Sequence, residues 1–85
     1  RALTDEMLKR SVVYQVSVEG KTPEDLVQIS FVLPEETDPD NYHIVAVDPE
    51  DGVISYPEVS VVVTVGTTRL EGYVLNGSIC FLAEK

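Results

Sequence analysis

A lone histidine, a lone cysteine and fifteen carboxylates are the residues of this 85-residue chain most able to do chemistry. His43, Cys80 and one of the acids would make a thiol–imidazole–carboxylate triad, in which the base activates the sulfur. The local sequence argues against it. Cys80 sits in Ile79-Cys80-Phe81-Leu82, an apolar strand pattern where a buried, inert thiol is the ordinary state. A single cysteine also excludes an internal disulfide framework and a cysteine metal cluster. No nucleophile elbow, phosphate-cradling glycine loop or zinc motif is present. Glu58 and Glu71 flank strands and are conceivable paired carboxylates, but such a pair needs a shaped cleft, and a small sandwich offers little of one. The chain reads as non-enzymatic, with no catalytic residue and no cofactor.

The acids are unevenly placed. Between Pro34 and Glu58 there are eight (Glu35, Glu36, Asp38, Asp40, Asp48, Glu50, Asp51, Glu58) and no Lys or Arg, and the net charge of the chain is -9. Hard cations take such oxygens, yet Asp38-Pro39-Asp40-Asn41 lacks the glycine and distal glutamate of a calcium loop. Asp48-Pro49-Glu50-Asp51-Gly52 is explained by turn chemistry without an ion. A solvated acidic edge is the expectation, with no metal site. Phosphate backbones are neutralised by Lys and Arg, which are scattered here and mostly terminal, so nucleic acid and anionic membrane are excluded as partners. A basic protein, a cation or a neutral sugar fits the charge better.

Tyr42, Tyr56 and Tyr73 are the groups best suited to recognition, because a phenol pairs an apolar ring with a hydroxyl. Tyr56 follows the acidic turn and is expected to be exposed. The candidate ligand-binding residues are Tyr56, Tyr73 and Arg69.

Strands must position these groups. Residues 1–10 read as a short helix or the end of an upstream stem, with Thr4 as N-cap, Asp5 and Glu6 in the first turn, and Lys9 and Arg10 in the last. Two turns are too few to be stable alone. The chain opens on Arg1 rather than Met, which suits a fragment or a processed product. From Ser11 the period becomes two: over Ser11–Glu19 Val12, Tyr14, Val16 and Val18 lie on one face with Gln15 and Ser17 opposite, Val13 being the one exception. Gly20–Asp25, with Thr22 as cap and Pro23 at the first helical position, reads as one helical turn or a tight loop. Leu26–Leu33 is a second strand with Val27, Ile29, Phe31 and Leu33 on one face, and Tyr42–Val47 is a third, apolar on both faces and so central. Val53–Ser55 is short and leads to Tyr56-Pro57, where trans is the better expectation. Val59–Val65, Arg69–Leu75 and Ser78–Ala83 then read as a meander, closed by Asn76-Gly77 as a type I′ hairpin.

Apolar residues make up 44% of the chain and charged residues 25%, a globular composition. No stretch approaches the roughly 20 apolar residues of a membrane helix. The fold class expected is all-β, an antiparallel β-sandwich of six to seven strands over residues 11–85, preceded by the short helix. A chain this short buries only about 60% of its unfolded surface, which favours oligomers.

Tyr42–Pro49, the valine-rich Val59–Val65, Thr67-Thr68, Gly72-Tyr73-Val74-Leu75 and the closing Ile79-Cys80-Phe81-Leu82-Ala83 together form a pattern. It resembles the small β-sandwich at the tips of bacteriophage tail fibres, itself similar to H-type lectins. The resemblance covers about half of the chain. Arg69-Leu70-Glu71 separates Thr68 from Gly72, and Phe81 stands where the family commonly has Trp. The resemblance implies a homotrimer on an upstream shaft, located on a virion, that attaches to a host-surface glycan or protein. The rival reading is a structural or interaction module that docks a basic partner through its acidic 34–58 segment.

Overall fold

The computed structural model describes residues 12–85, so the helix expected over 1–10 lies outside the described residues. The chain forms seven strands in two antiparallel sheets, as expected for a sandwich. They are β1 (Tyr14–Gln15), β2 (Leu26–Val32), β3 (Tyr42–Val47), β4 (Ile54–Ser55), β5 (Ser60–Thr64), β6 (Thr67–Leu75) and β7 (Ile79–Glu84). One sheet has the order β1-β7-β3-β4 and the other β2-β6-β5.

Alternation decides which residues meet between the sheets. Ile44, Ala46, Cys80 and Leu82 face inward from the four-stranded sheet, and Ile29, Phe31, Leu70 and Val74 from the three-stranded one. Leu33, just past β2, joins this core. Because β3 and β7 are apolar on both faces, they take the two central positions of their sheet. Their other face carries a second buried cluster of Val45, Phe81 and Ala83, against which Val47 packs.

Two expectations are corrected. The first strand is much shorter than Ser11–Glu19: only Tyr14 and Gln15 pair with β7, opposite Cys80 and Ile79. A backbone bond from Val16 N–H to the Ser78 carbonyl (2.9 Å) extends the contact slightly. The terminal meander is also only half formed. β5 and β6 pair as a hairpin across Val65-Gly66, but β7 leaves for the other sheet and pairs with β3. The turn between them explains the crossing. A type I′ turn needs positive φ at both central residues, and here Gly77 has φ 92° while Asn76 does not. With Ser78 N–H bonded to the Leu75 carbonyl (3.1 Å), this is the pattern of a type II turn, which does not match the twist of a tight hairpin.

Asn76 is held out of the left-handed region by its side chain. Its Oδ1 accepts from Val18 N–H at 2.8 Å and its Nδ2 donates to the Lys21 carbonyl at 3.0 Å. The residue thus ties the loop after β1 to the corner between the sheets. The loops themselves follow their sequence. Thr22 Oγ1 accepts from Glu24 N–H and Asp25 Oδ2 from Thr22 N–H. Asp38 caps a short 3-10 turn over Pro39–Asn41. No helix among the described residues is long and apolar enough to cross a membrane.

Candidate functional site

The connection from β4 to β5 passes over β6, and this crossing builds the site. Gly72 lies directly beneath it: a Cβ there would stand 2.9 Å from the Glu58 carbonyl oxygen and 3.8 Å from Pro57 Cβ. Only the absence of a side chain lets the backbone come so close. The peptide bond between Tyr56 and Pro57 is trans.

Beside this crossing is an open cleft of about 350 Å³. Tyr56 and Tyr73 both line it, one from just past the end of the first sheet and the other from β6 of the second. Asp48, Asp51, Ser55 and Ser78 add polar groups, and Leu26 and Leu75 an apolar wall. Both phenols are accessible, Tyr56 at 48% and Tyr73 at 57% exposure. The ring of Tyr56 also rests against His43, with centroids 4.9 Å apart.

The carboxylates are fixed by their own turn. Asp48 Oδ1 accepts from Glu50 N–H and Asp51 Oδ1 from Val53 N–H, each at 2.9 Å. Gly52 closes the turn with φ 71° and donates to the Asp48 carbonyl. Each carboxylate keeps a second oxygen for other donors. A cleft lined by two tyrosines, two aspartates and two serines beside an apolar wall combines polar acceptors with aromatic residues at its rim.

Arg69 is not among the residues lining this cleft. It sits opposite Val32 and Val62, on the same face of β6 as Tyr73 but four residues away, which in a strand is roughly 13 Å. Of the three candidate residues, Tyr56 and Tyr73 line this cleft and Arg69 does not. Asp48 and Asp51 were legible only as turn formers; their adjacency to Tyr56 in the chain was the available signal.

His43 and Cys80 are kept apart. Cys80 pairs with Ala46 and faces the inter-sheet core, whereas His43 pairs with Ala83, which belongs to the cluster on the opposite face. The sheet lies between thiol and imidazole. Burial pushes the Cys80 thiol above its ordinary pKa, away from a nucleophilic thiolate. Cys80 lines a second cleft of about 550 Å³, between β1 and β2, together with Tyr14, Ile29 and Phe31. This one is walled mainly by apolar groups, with the Tyr14 and Phe31 rings 5.8 Å apart. Among the described residues, no group of three or more His, Cys, Asp or Glu is gathered to hold a metal ion.

Tyr42, the remaining phenol of interest, faces the core side of β3 and donates to Glu84 Oε1 at 3.4 Å. Burial, and then the Glu84 carboxylate as a charge and as acceptor, push its pKa upward. Compared with known families, curated proteins and solved structures, the chain matches no family model, no curated protein and no solved structure.

Proposed function

We propose that this domain is a non-enzymatic attachment module that holds a neutral, hydroxyl-rich ligand such as a sugar in the cleft that Tyr56 and Tyr73 line. The observation that supports the reading is that one open cleft is lined by Tyr56 and Tyr73, exposed residues from different sheets, together with Asp48 and Asp51. Sugar rings present apolar faces to aromatic rings and hydroxyls to carboxylates. The sequence resemblance of Tyr42–Lys85 supplies the setting: the tip of a trimeric viral fibre on a virion, where weak single sites gain strength from avidity.

Glycan-array binding tests it, followed by titration of the best glycan. Tyr56→Ala and Tyr73→Ala should each weaken binding by about tenfold, equivalent to about 1.4 kcal/mol. An array without any bound glycan, or variants that bind like the parent, would sink the reading. Light scattering gives the assembly: a mass near three times 9.4 kDa supports the trimer, and a monomer opposes it.

A second reading has its own observation. Of the eight acids between Pro34 and Glu58, all but the half-buried Asp48 are exposed, and no cation interrupts them. A cationic partner would be drawn to that surface. Capture of such a partner that falls steeply with salt, because exposed charges are screened beyond about 10 Å at 0.1 M, would favour this interaction role.

A further inference from the structure

Among the described residues β2 has a partner on one side only, because its sheet runs β2-β6-β5. Its backbone can be apportioned residue by residue. The Asp25 carbonyl accepts from Asn76 N–H, and Leu33 N–H donates to the Thr68 carbonyl, so the odd-numbered residues turn toward β6. Alternation then turns the N–H and C=O of Leu26, Gln28, Ser30 and Val32 to the open side. No further backbone bond among the described residues reaches these four. The strand, Leu26–Val32, also contains no charge, Pro or Gly, the devices that usually blunt an edge. Along the same side lies the cleft of about 550 Å³ between β1 and β2. Ile29, Phe31 and Cys80 line it with Tyr14 and Val16, so it opens toward the inter-sheet core.

We infer that this edge takes up an extended strand from a partner polypeptide, one that is apolar at alternate residues and basic at both ends. Its backbone pairs with Leu26, Gln28, Ser30 and Val32, and every second side chain enters the cleft, the geometry of strand addition. Charge selects this occupant. Glu24 and Asp25 stand just before β2, and Glu35 and Glu36 shortly after it. A second copy fits poorly, since each chain carries a net charge of -9. Antiparallel self-pairing about Ile29 would also set Glu24 and Asp25 of each copy beside Glu35 and Glu36 of the other, and like charges so placed destabilise a pair. Lys or Arg at the ends of a foreign strand turn that repulsion into attraction. The inference does not rest on the sugar reading, which uses a different cleft.

The probe is the synthetic peptide Lys-Lys-Val-Thr-Val-Thr-Val-Thr-Val-Lys-Lys, titrated into the full 85-residue chain. Amide exchange should show new protection at Leu26, Gln28, Ser30 and Val32, while Val27, Ile29 and Phe31 are protected through β6 from the start. Replacing the peptide's lysines by glutamate should weaken binding by at least about tenfold, and so should N-methylation of its central residues. Ser30→Pro removes an outward N–H at an edge position that tolerates proline, and should cost about as much. Saturating peptide without new protection at the four amides overturns the inference, as does equal binding of the glutamate or N-methylated peptide. Protection of the same amides that rises with the concentration of the chain alone makes a second copy the occupant, and overturns it too. The peptide comparisons leave the protein unaltered, so they decide even if Ser30→Pro fails to fold.

Discussion

The ring of Tyr56 lies against that of His43, with centroids 4.9 Å apart and planes inclined by 38°. One residue directly follows the short β4 and the other is on β3, so the pair pins the start of the β4–β5 connection to a central strand of its sheet. The Tyr56 ring is thereby ordered before any ligand arrives, and ordering before binding reduces the entropy lost on binding. An aromatic pair is worth about 0.5–1.5 kcal/mol beyond its buried area. His43→Ala should therefore weaken glycan binding by a few-fold, with His43→Phe restoring most of it. Calorimetric titration of both variants checks this; equal affinity in His43→Ala and the parent would show that Tyr56 needs no support.

Gly72 is the second determinant of that connection. Adding a methyl there places it 2.9 Å from a backbone oxygen, which no side-chain rotation can relieve. Gly72→Ala should destabilise the fold by about 1–3 kcal/mol, the usual cost of overpacking. Because the obstacle is the backbone at Glu58, two residues from Tyr56, the same variant should reduce ligand affinity. Urea unfolding and titration on one sample separate the two effects, and unchanged stability would mean that the crossing is looser than described.

The sequence displayed the strands more clearly than their partners. Tyr42–Val47 was legible as a central strand because apolar residues on both faces need cover on both sides, and the structure places it there. Asn76-Gly77 misled, since the dipeptide favours a hairpin in isolation. Here the amide of Asn76 is committed to Val18 and Lys21, some 55 residues or more away, and no local pattern reports such a contact. Tyr56 and Tyr73 stood out in the sequence by residue type, whereas Asp48 and Asp51 read as turn residues and came to line the same cleft only through folding.

Asn76 accordingly has a measurable role of its own. Asn76→Ala removes the acceptor of Val18 N–H and the donor to the Lys21 carbonyl, at a cost of about 1–3 kcal/mol. Amide exchange should show the loss locally, with Val18 protection falling more than that of β3. Uniform loss across all amides would assign Asn76 to global stability and leave it no special hold on the loop.

Cys80 sets a pH expectation with a defined sign. Its folded pKa is raised by burial, so above the ordinary thiol range the folded state holds a proton that the unfolded state releases. Its contribution is complete below the unfolded pKa and is lost as pH rises through the folded one. Tyr42 acts in the same direction at higher pH, because its pKa is raised as well. Stability should therefore decline on the alkaline side, and Cys80→Ala should remove the part of the slope nearest pH 9. A disulfide dye at pH 8 should react slowly with the folded chain and fully in urea. Fast reaction without urea would contradict the burial.

Val63 raises the question of how so apolar a strand stays out of aggregates. β5 pairs with β6 on one side only among the described residues, and Val61 and Val63 point to the face of Leu70. β4 in the opposite sheet has only two residues, and Val63 is left 73% exposed. No acid stands between Glu58 and Glu71, so the charge that keeps copies apart elsewhere is missing along this edge. Association through β5 should then grow with salt as the remaining charge is screened, opposite to the dependence of an acidic docking surface. Val63→Lys should suppress it while changing Tm little, since an exposed position contributes little packing. Light scattering of both chains across concentration and salt decides: equal masses throughout would remove β5 as an association edge.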